Sequence, residues 1–145
     1  MNNDTERILL YRTEYEKMLS GALLERPKEA CGLIAGTTSD DGTKIISKVY
    51  LLRNADHSAE HFSLDPMEQL EAIRDMRKHG LKPLGNWHSH PQTPSRPSEE
   101  DKRLAYDKHA VYMILSLAEK EPILNAFHIE NGEVRKEFLE IVEGE

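Results

Sequence analysis

The chain has one cysteine, Cys31, among 145 residues. An intrachain disulfide is therefore impossible, and a cysteine-rich metal site is excluded with it, so any metal must be held by histidine and carboxylate. Basic runs are missing as well. Acidic residues number 26 against 19 Lys and Arg, the formal charge is -7, and no stretch offers an electrostatic footprint for nucleic acid or anionic lipid. No run approaches the roughly 18 apolar residues of a membrane-spanning helix. The opening MNNDTERILLYRTEYEKML interrupts its apolar residues with charge, unlike the core of a signal peptide. A soluble, cytoplasmic protein is expected. Internal repeats and low-complexity linkers are also absent, and a length of 145 residues suits a single domain, 1–145, with an adequate core of its own.

What is present is a regular succession of elements. Tyr15, Met18, Leu19 and Leu23 recur at three- and four-residue spacing, which predicts an amphipathic helix over Thr13 to Leu24, ended by Pro27. Ala30 to Ala35 is a short apolar run containing CGLI. It reads as a buried strand, with TTSDDG turning the chain into a second strand, Lys44 to Leu52. Asp65-Pro66-Met67-Glu68 joins an N-cap acid, proline at the first helical position and glutamate three residues past the cap, so a helix runs from there to His79, stopped by Gly80. Leu84 to His90 reads as a strand and Ser98 to about Asp107 as a short helix. Val111 to Leu117, Ile123 to Ile129 and Glu133 to Leu139 close the domain as strands, the last two joined by Asn131-Gly132. Strand pairs interrupted by helices imply an α+β domain built on a central sheet.

The richest stretch is WHSHPQTPSRPSEED, Trp87 to Asp101. Strand side chains alternate, so His88 and His90 share a face with Ser89 opposite, and two imidazoles can converge on one ion; Pro91 keeps His90 extended. The pair alone is equally the pattern of a half-buried strand. Ser98-Glu99-Glu100-Asp101 has the form of a capping box, which starts a helix with or without chemistry. The same geometry gathers Ser98 and Asp101 at one helix end, where Asp101 completes a His, His, Asp set with a fourth position left for water.

His88-x-His90, Pro91, Ser98 and Asp101 at this spacing, with an upstream Glu29 in EACGL, resemble the signature of the JAMM (MPN+) zinc metalloproteases. The resemblance runs from Glu29 through the Ser98 helix and is to the short bacterial stand-alone type. It implies a JAB/MPN-like fold of cytidine-deaminase-like architecture, an αβ sandwich whose central, mainly antiparallel sheet is flanked by helices. It also implies one Zn2+ per chain held by His88, His90 and Asp101, with Glu29 as general base and Ser98 as the oxyanion-stabilising hydroxyl rather than a nucleophile. The loop PQTPSRPS is similar to loops of bacterial members that act on ubiquitin-like sulfur carriers of the ThiS and MoaD kind. The implied partner is such a carrier with a Gly-Gly carboxy terminus, and the implied bond is the amide after it. A zinc hydrolase of small-molecule amides and a non-catalytic scaffold of the same fold remain as alternatives, the second opposed by the complete motif.

Other candidates draw weaker readings. Cys31, flanked by apolar residues with no dedicated base beside it, reads as core packing. His57 and His61 in HSAEH are spaced as a second metal pair would be on a helix, though nothing marks that segment as helical. Trp87 reads as a space-filler beneath the site, and His79, His109 and His128 are scattered and carry no role.

Overall fold

The computed structural model describes residues 7–56, 58 and 62–144. His57 and His61, the second candidate metal pair, lie outside the described residues. The order is β1 (Arg7–Tyr11), α1 (Arg12–Glu25), β2 (Cys31–Thr38), β3 (Lys44–Leu52), α2 (Pro66–Lys78), β4 (Lys82–His90), α3 (Glu99–Arg103), β5 (Val111–Ser116), β6 (Ile123–Glu130), β7 (Glu133–Lys136) and β8 (Phe138–Val142).

These strands form one eight-stranded sheet in the order β7-β6-β5-β4-β2-β3-β1-β8. Its neighbours pair antiparallel at β2–β3, β2–β4, β5–β6 and β6–β7 and parallel at β1–β3, β1–β8 and β4–β5. The expected α+β sandwich with a mainly antiparallel sheet is therefore present. Its two edge strands are consecutive in sequence, with only Glu137 between β7 and β8, so the sheet must curl until its edges nearly meet. Glu137 N–H donates to Ala126 O at 2.8 Å at that junction, and its buried carboxylate lies 2.9 Å from His128 Nδ1 and 3.2 Å from Arg135.

The curl encloses the main core. Ile8, Ile34, Ile46, Trp87, Met113 and Ala126 from six strands pack on Met18 and Ala22 of α1. Leu23 of the predicted helical face is instead exposed, because Ala22 and Met18 are the residues that point at the sheet. A second cluster on the opposite face joins Leu33 and Ala35 of β2 to Ala72 and Met76 of α2. Helices thus cover both faces, and the site forms on the α2 side.

Besides β2, which runs on through Thr37 and Thr38 of the expected turn, three elements differ from expectation. Arg7–Tyr11 is a strand that it left unassigned, and the expected strand Glu133 to Leu139 is divided at Glu137 into β7 and β8. The third is α3, which ends at Arg103 instead of near Asp107. Beyond it the Tyr112 hydroxyl accepts from Asp107 N–H at 3.2 Å and donates to Asp107 O at 2.9 Å, fixing a turn where the helix was expected to continue. At α2, Asp65 caps Met67 N–H at 3.0 Å as the sequence suggests, but Glu68 accepts from Arg53 N–H at 2.7 Å and so ties the end of β3 to the helix. No described helix is long and apolar enough to cross a membrane.

Candidate metal centre

β4 ends at His90, and alternation along it turns Trp87 and Ser89 to the α1 side and His88 and His90 to the other. Trp87 is fully buried and donates from Nε1 to Tyr50 O at 3.0 Å, so it braces the strand from behind. Ser89 Oγ accepts from Ala30 N–H at 2.8 Å, and Ser89 N–H donates to Ala30 O at 2.9 Å, which locks the segment carrying Glu29 to the histidine strand.

The loop from Pro91 to Pro97 is short of regular structure but not of bonds. Ser95 Oγ donates to Ile114 O at 2.6 Å, Ser116 Oγ to Thr93 O at 2.6 Å, and Asn125 Nδ2 to Ser95 O at 3.2 Å. The loop delivers Ser98 to the start of α3, where the capping box forms: Asp101 N–H donates to Ser98 Oγ at 3.0 Å and Ser98 N–H to Asp101 Oδ2 at 2.9 Å. That bond fixes the aspartate's direction. Asp101 Oδ2 lies 3.2 Å from Nε2 of His88 and 3.2 Å from Nε2 of His90, and the two nitrogens are 3.1 Å apart.

Three donor atoms thus form a nearly equilateral triangle. A tetrahedron with metal–ligand bonds of about 2.0 to 2.1 Å has edges of about 3.3 to 3.4 Å, so the triangle is close to one face of such a site. His90 Nδ1 lies 2.8 Å from Pro94 O, a carbonyl that can only accept, so Nδ1 is the donor of that bond and Nε2 is the nitrogen turned to the triangle. Burial holds the His88 pKa below the ordinary histidine value, against the raising effect of Asp101. Burial also acts to raise the Asp101 carboxyl, but hydrogen bonds to His88 and His90 outweigh it and hold the group well below the usual carboxylate range. Two imidazole nitrogens and one carboxylate oxygen are a donor set that a divalent ion accepts. His88, His90 and Asp101 could hold a metal ion.

Glu29 is 3% exposed and stands two residues before β2. Its backbone is held on both sides: its N–H donates to Ser58 O at 2.7 Å, and its carbonyl accepts from Asn54 Nδ2 at 3.0 Å. The next strand residue but one, Cys31, pairs with His88 in register. Its thiol is pushed up to about 12 by burial and then by the Glu29 carboxylate, which makes it an inert packing group.

Beside the triad is a cavity of about 360 Å³, with Phe62, Leu64, Leu104, Ile114 and Ile129 among its apolar walls and His88 and Asp101 at one end. Phe62 stacks on the His88 ring, with centroids 4.5 Å apart and planes at 26°. Phe62, Asn54 and the Pro94 carbonyl escaped the reading of the sequence. Phe62 is an apolar residue in a polar stretch, which is a usable signal. A main-chain carbonyl gives none.

The family model for prokaryotic homologs of the JAB domain matches residues 13–130. A Mycobacterium tuberculosis protein named CysO-cysteine peptidase is 30% identical over 145 residues, spanning 99% of this chain and 97% of its own. A Haloferax volcanii protein named desampylase is 30% identical over 97 residues, 66% of this chain and 68% of its own. Among solved structures, that of a Desulfitobacterium hafniense protein superposes with a TM-score of 0.87 at 48% identity, covering 94% of each chain. A JAB1/MPN domain protein from Archaeoglobus fulgidus shares the fold at a TM-score of 0.57 and 21% identity, over 90% of this chain and 96% of its own.

Proposed function

The chain belongs to the prokaryotic JAB-domain family, and from that premise we propose that it is a cytoplasmic zinc peptidase that hydrolyses the amide bond after the Gly-Gly end of a ubiquitin-like sulfur-carrier protein. The observation that carries the reading is the His88, His90, Asp101 triangle, whose edges of 3.1 to 3.2 Å suit one face of a tetrahedral ion. The names of the relatives, a CysO-cysteine peptidase and a desampylase, support a small-protein conjugate as substrate.

His88, His90 and Asp101 would hold the zinc, which would supply Lewis-acid polarisation of the scissile carbonyl and acidify water to a pKa of about 7. Glu29, buried and fixed through its own backbone, takes a proton from the attacking water and returns it to the departing amine. Ser98 uses a lone pair to accept from Asp101 N–H, so its O–H is left to donate to the carbonyl oxygen as negative charge develops there. His90 and Asp101 are held by Pro94 O and Ser98 N–H, so the donor set is pre-organised before substrate arrives. A diglycine tail has no side chains to obstruct the approach of its backbone to such a buried site.

The test is incubation with a sulfur carrier joined through its diglycine terminus to an amine, with and without chelator and alongside His88→Ala. Cleavage after the second glycine that needs both metal and His88 supports the proposal. Hydrolysis of small amides with the conjugate left intact would replace it with a small-molecule hydrolase, and no hydrolysis of either with zinc bound would leave a scaffold.

A further inference from the structure

The two histidines of the triad are held in different ways. His90 has an acceptor for its second ring nitrogen, Pro94 O at 2.8 Å. His88 Nδ1 is buried and has no hydrogen-bond partner among the described residues. Metal-binding histidines are ordinarily oriented by a bond at that second nitrogen, and among the described residues none gives His88 this device. What it has instead is the ring of Phe62, stacked at 4.5 Å and 26°.

We propose that Phe62 is a positioning residue for the metal ligand His88, orienting the ring through an aromatic face where no described residue bonds its second nitrogen. This inference rests on the reading of His88 as a ligand. Two physical effects support it. Coordination withdraws electron density from an imidazole, and an electron-poor ring is favoured on the negative face of a phenyl group. The phenyl ring, stacked on His88 where both line the cavity, also obstructs rotation of the imidazole away from His90 and Asp101.

The placement of Phe62 is built, not incidental. Asn54 is 4% exposed, and its Oδ1 accepts from Asp56 N–H at 3.0 Å and Ser63 N–H at 3.1 Å, next door to Phe62. Its Nδ2 donates to Glu29 O at 3.0 Å. Ala55 N–H donates to Ser63 O at 2.8 Å and closes the base of the same loop. One buried amide therefore fastens both the loop that presents Phe62 and the segment that carries Glu29.

Zinc affinity measured by chelator competition tests this on the purified full chain, as wild type, Phe62→Leu and Phe62→Tyr, with the visible spectrum of the cobalt-substituted protein as a second readout. Leucine keeps apolar bulk and removes the aromatic face, whereas tyrosine keeps the face. Phe62→Leu should bind zinc about tenfold more weakly and show altered cobalt bands, while its metal-free melting temperature stays near that of the wild type. Phe62→Tyr should restore both affinity and spectrum. Wild-type affinity and spectrum in Phe62→Leu would overturn the role of Phe62 while leaving the metal site intact. Failure of the wild type itself to bind zinc or cobalt would overturn both.

Discussion

Ser98 and Asp101 exchange hydrogen bonds at 3.0 and 2.9 Å, and the Asp101 oxygen that accepts from Ser98 N–H is the same one that lies 3.2 Å from both histidines. Helix capping and the placement of a candidate ligand are thus one arrangement. A capping box is explained by local stability alone, yet here its aspartate is aimed by the cap at two imidazoles contributed by a strand more than ten residues earlier. The five-residue α3 exposes no core face of its own, having no buried residue. Its cap and its acidic first turn are its contribution to the site.

Ser98 can be tested for both of its jobs. Loss of the cap in Ser98→Ala should cost about 0.5 to 2 kcal/mol by urea denaturation. Loss of the oxyanion donor should lower turnover by about 10²-fold or more. Ser98→Asp retains a capping acceptor but puts negative charge where the carbonyl oxygen becomes negative, so it should be stable and nearly inactive. Full turnover in that variant would remove the catalytic role and leave the cap.

Gly32 of β2 sits where a side chain would meet both neighbouring strands. A Cβ there would overlap Tyr50 O and stand 2.6 Å from Trp87 Nε1. Gly32→Ala must therefore push β3 or the Trp87 indole outwards, at a cost of about 1 to 3 kcal/mol. Trp87 immediately precedes His88, so metal affinity should fall along with the urea midpoint. An unchanged midpoint would show that the strands have slack that the structure does not display.

Asp75 provides a pH-dependent contribution far from the catalytic chemistry. Hydrogen bonds from Lys48 and then Tyr50, each at 2.7 Å, lower its carboxyl to about 2. An unfolded aspartate titrates near 3.9. Between those values the unfolded chain binds more protons, so the stabilisation is complete above about pH 4 and is lost as pH falls towards about 2. Asp75→Asn should be less stable than the wild type at pH 6, and the gap in urea midpoints should narrow from pH 4 to pH 3. A gap independent of pH would contradict this assignment.

Much of the site was legible because its residues are close in sequence and obey local rules. Strand alternation places His88 beside His90, and the capping box places Ser98 beside Asp101; only the meeting of the two pairs needs the loop bonds of Ser95, Ser116 and Asn125. Glu29 is proposed through family resemblance, since RPKEA by itself reads as solvated charge, and its backbone is held by Asn54 and Ser58 from a distant loop. The fold was legible where periodicity or a turn marks an element, as in β3, whose bounds agree with the sequence reading. It was not legible where pairing is remote. Arg7–Tyr11 lies between β3 and β8, in parallel with both, and no pattern within RILLY discloses such partners. The break at Glu137 is similarly hidden. A charged residue within a terminal hairpin strand looks solvent-facing until His128 and Arg135 are seen to enclose it.

The central claim is that His88, His90 and Asp101 hold the metal while Glu29 moves the proton. Glu29→Gln keeps size and much of the hydrogen-bonding capacity and removes the proton acceptor. Zinc content and single-turnover cleavage of a diglycine-linked carrier conjugate should be measured together on this variant and the wild type. About one zinc per chain is expected in both, with cleavage slower by about 10² to 10⁴-fold in Glu29→Gln. Equal cleavage rates would contradict the role of Glu29, and loss of zinc together with activity would make it a fourth protein ligand instead of a base.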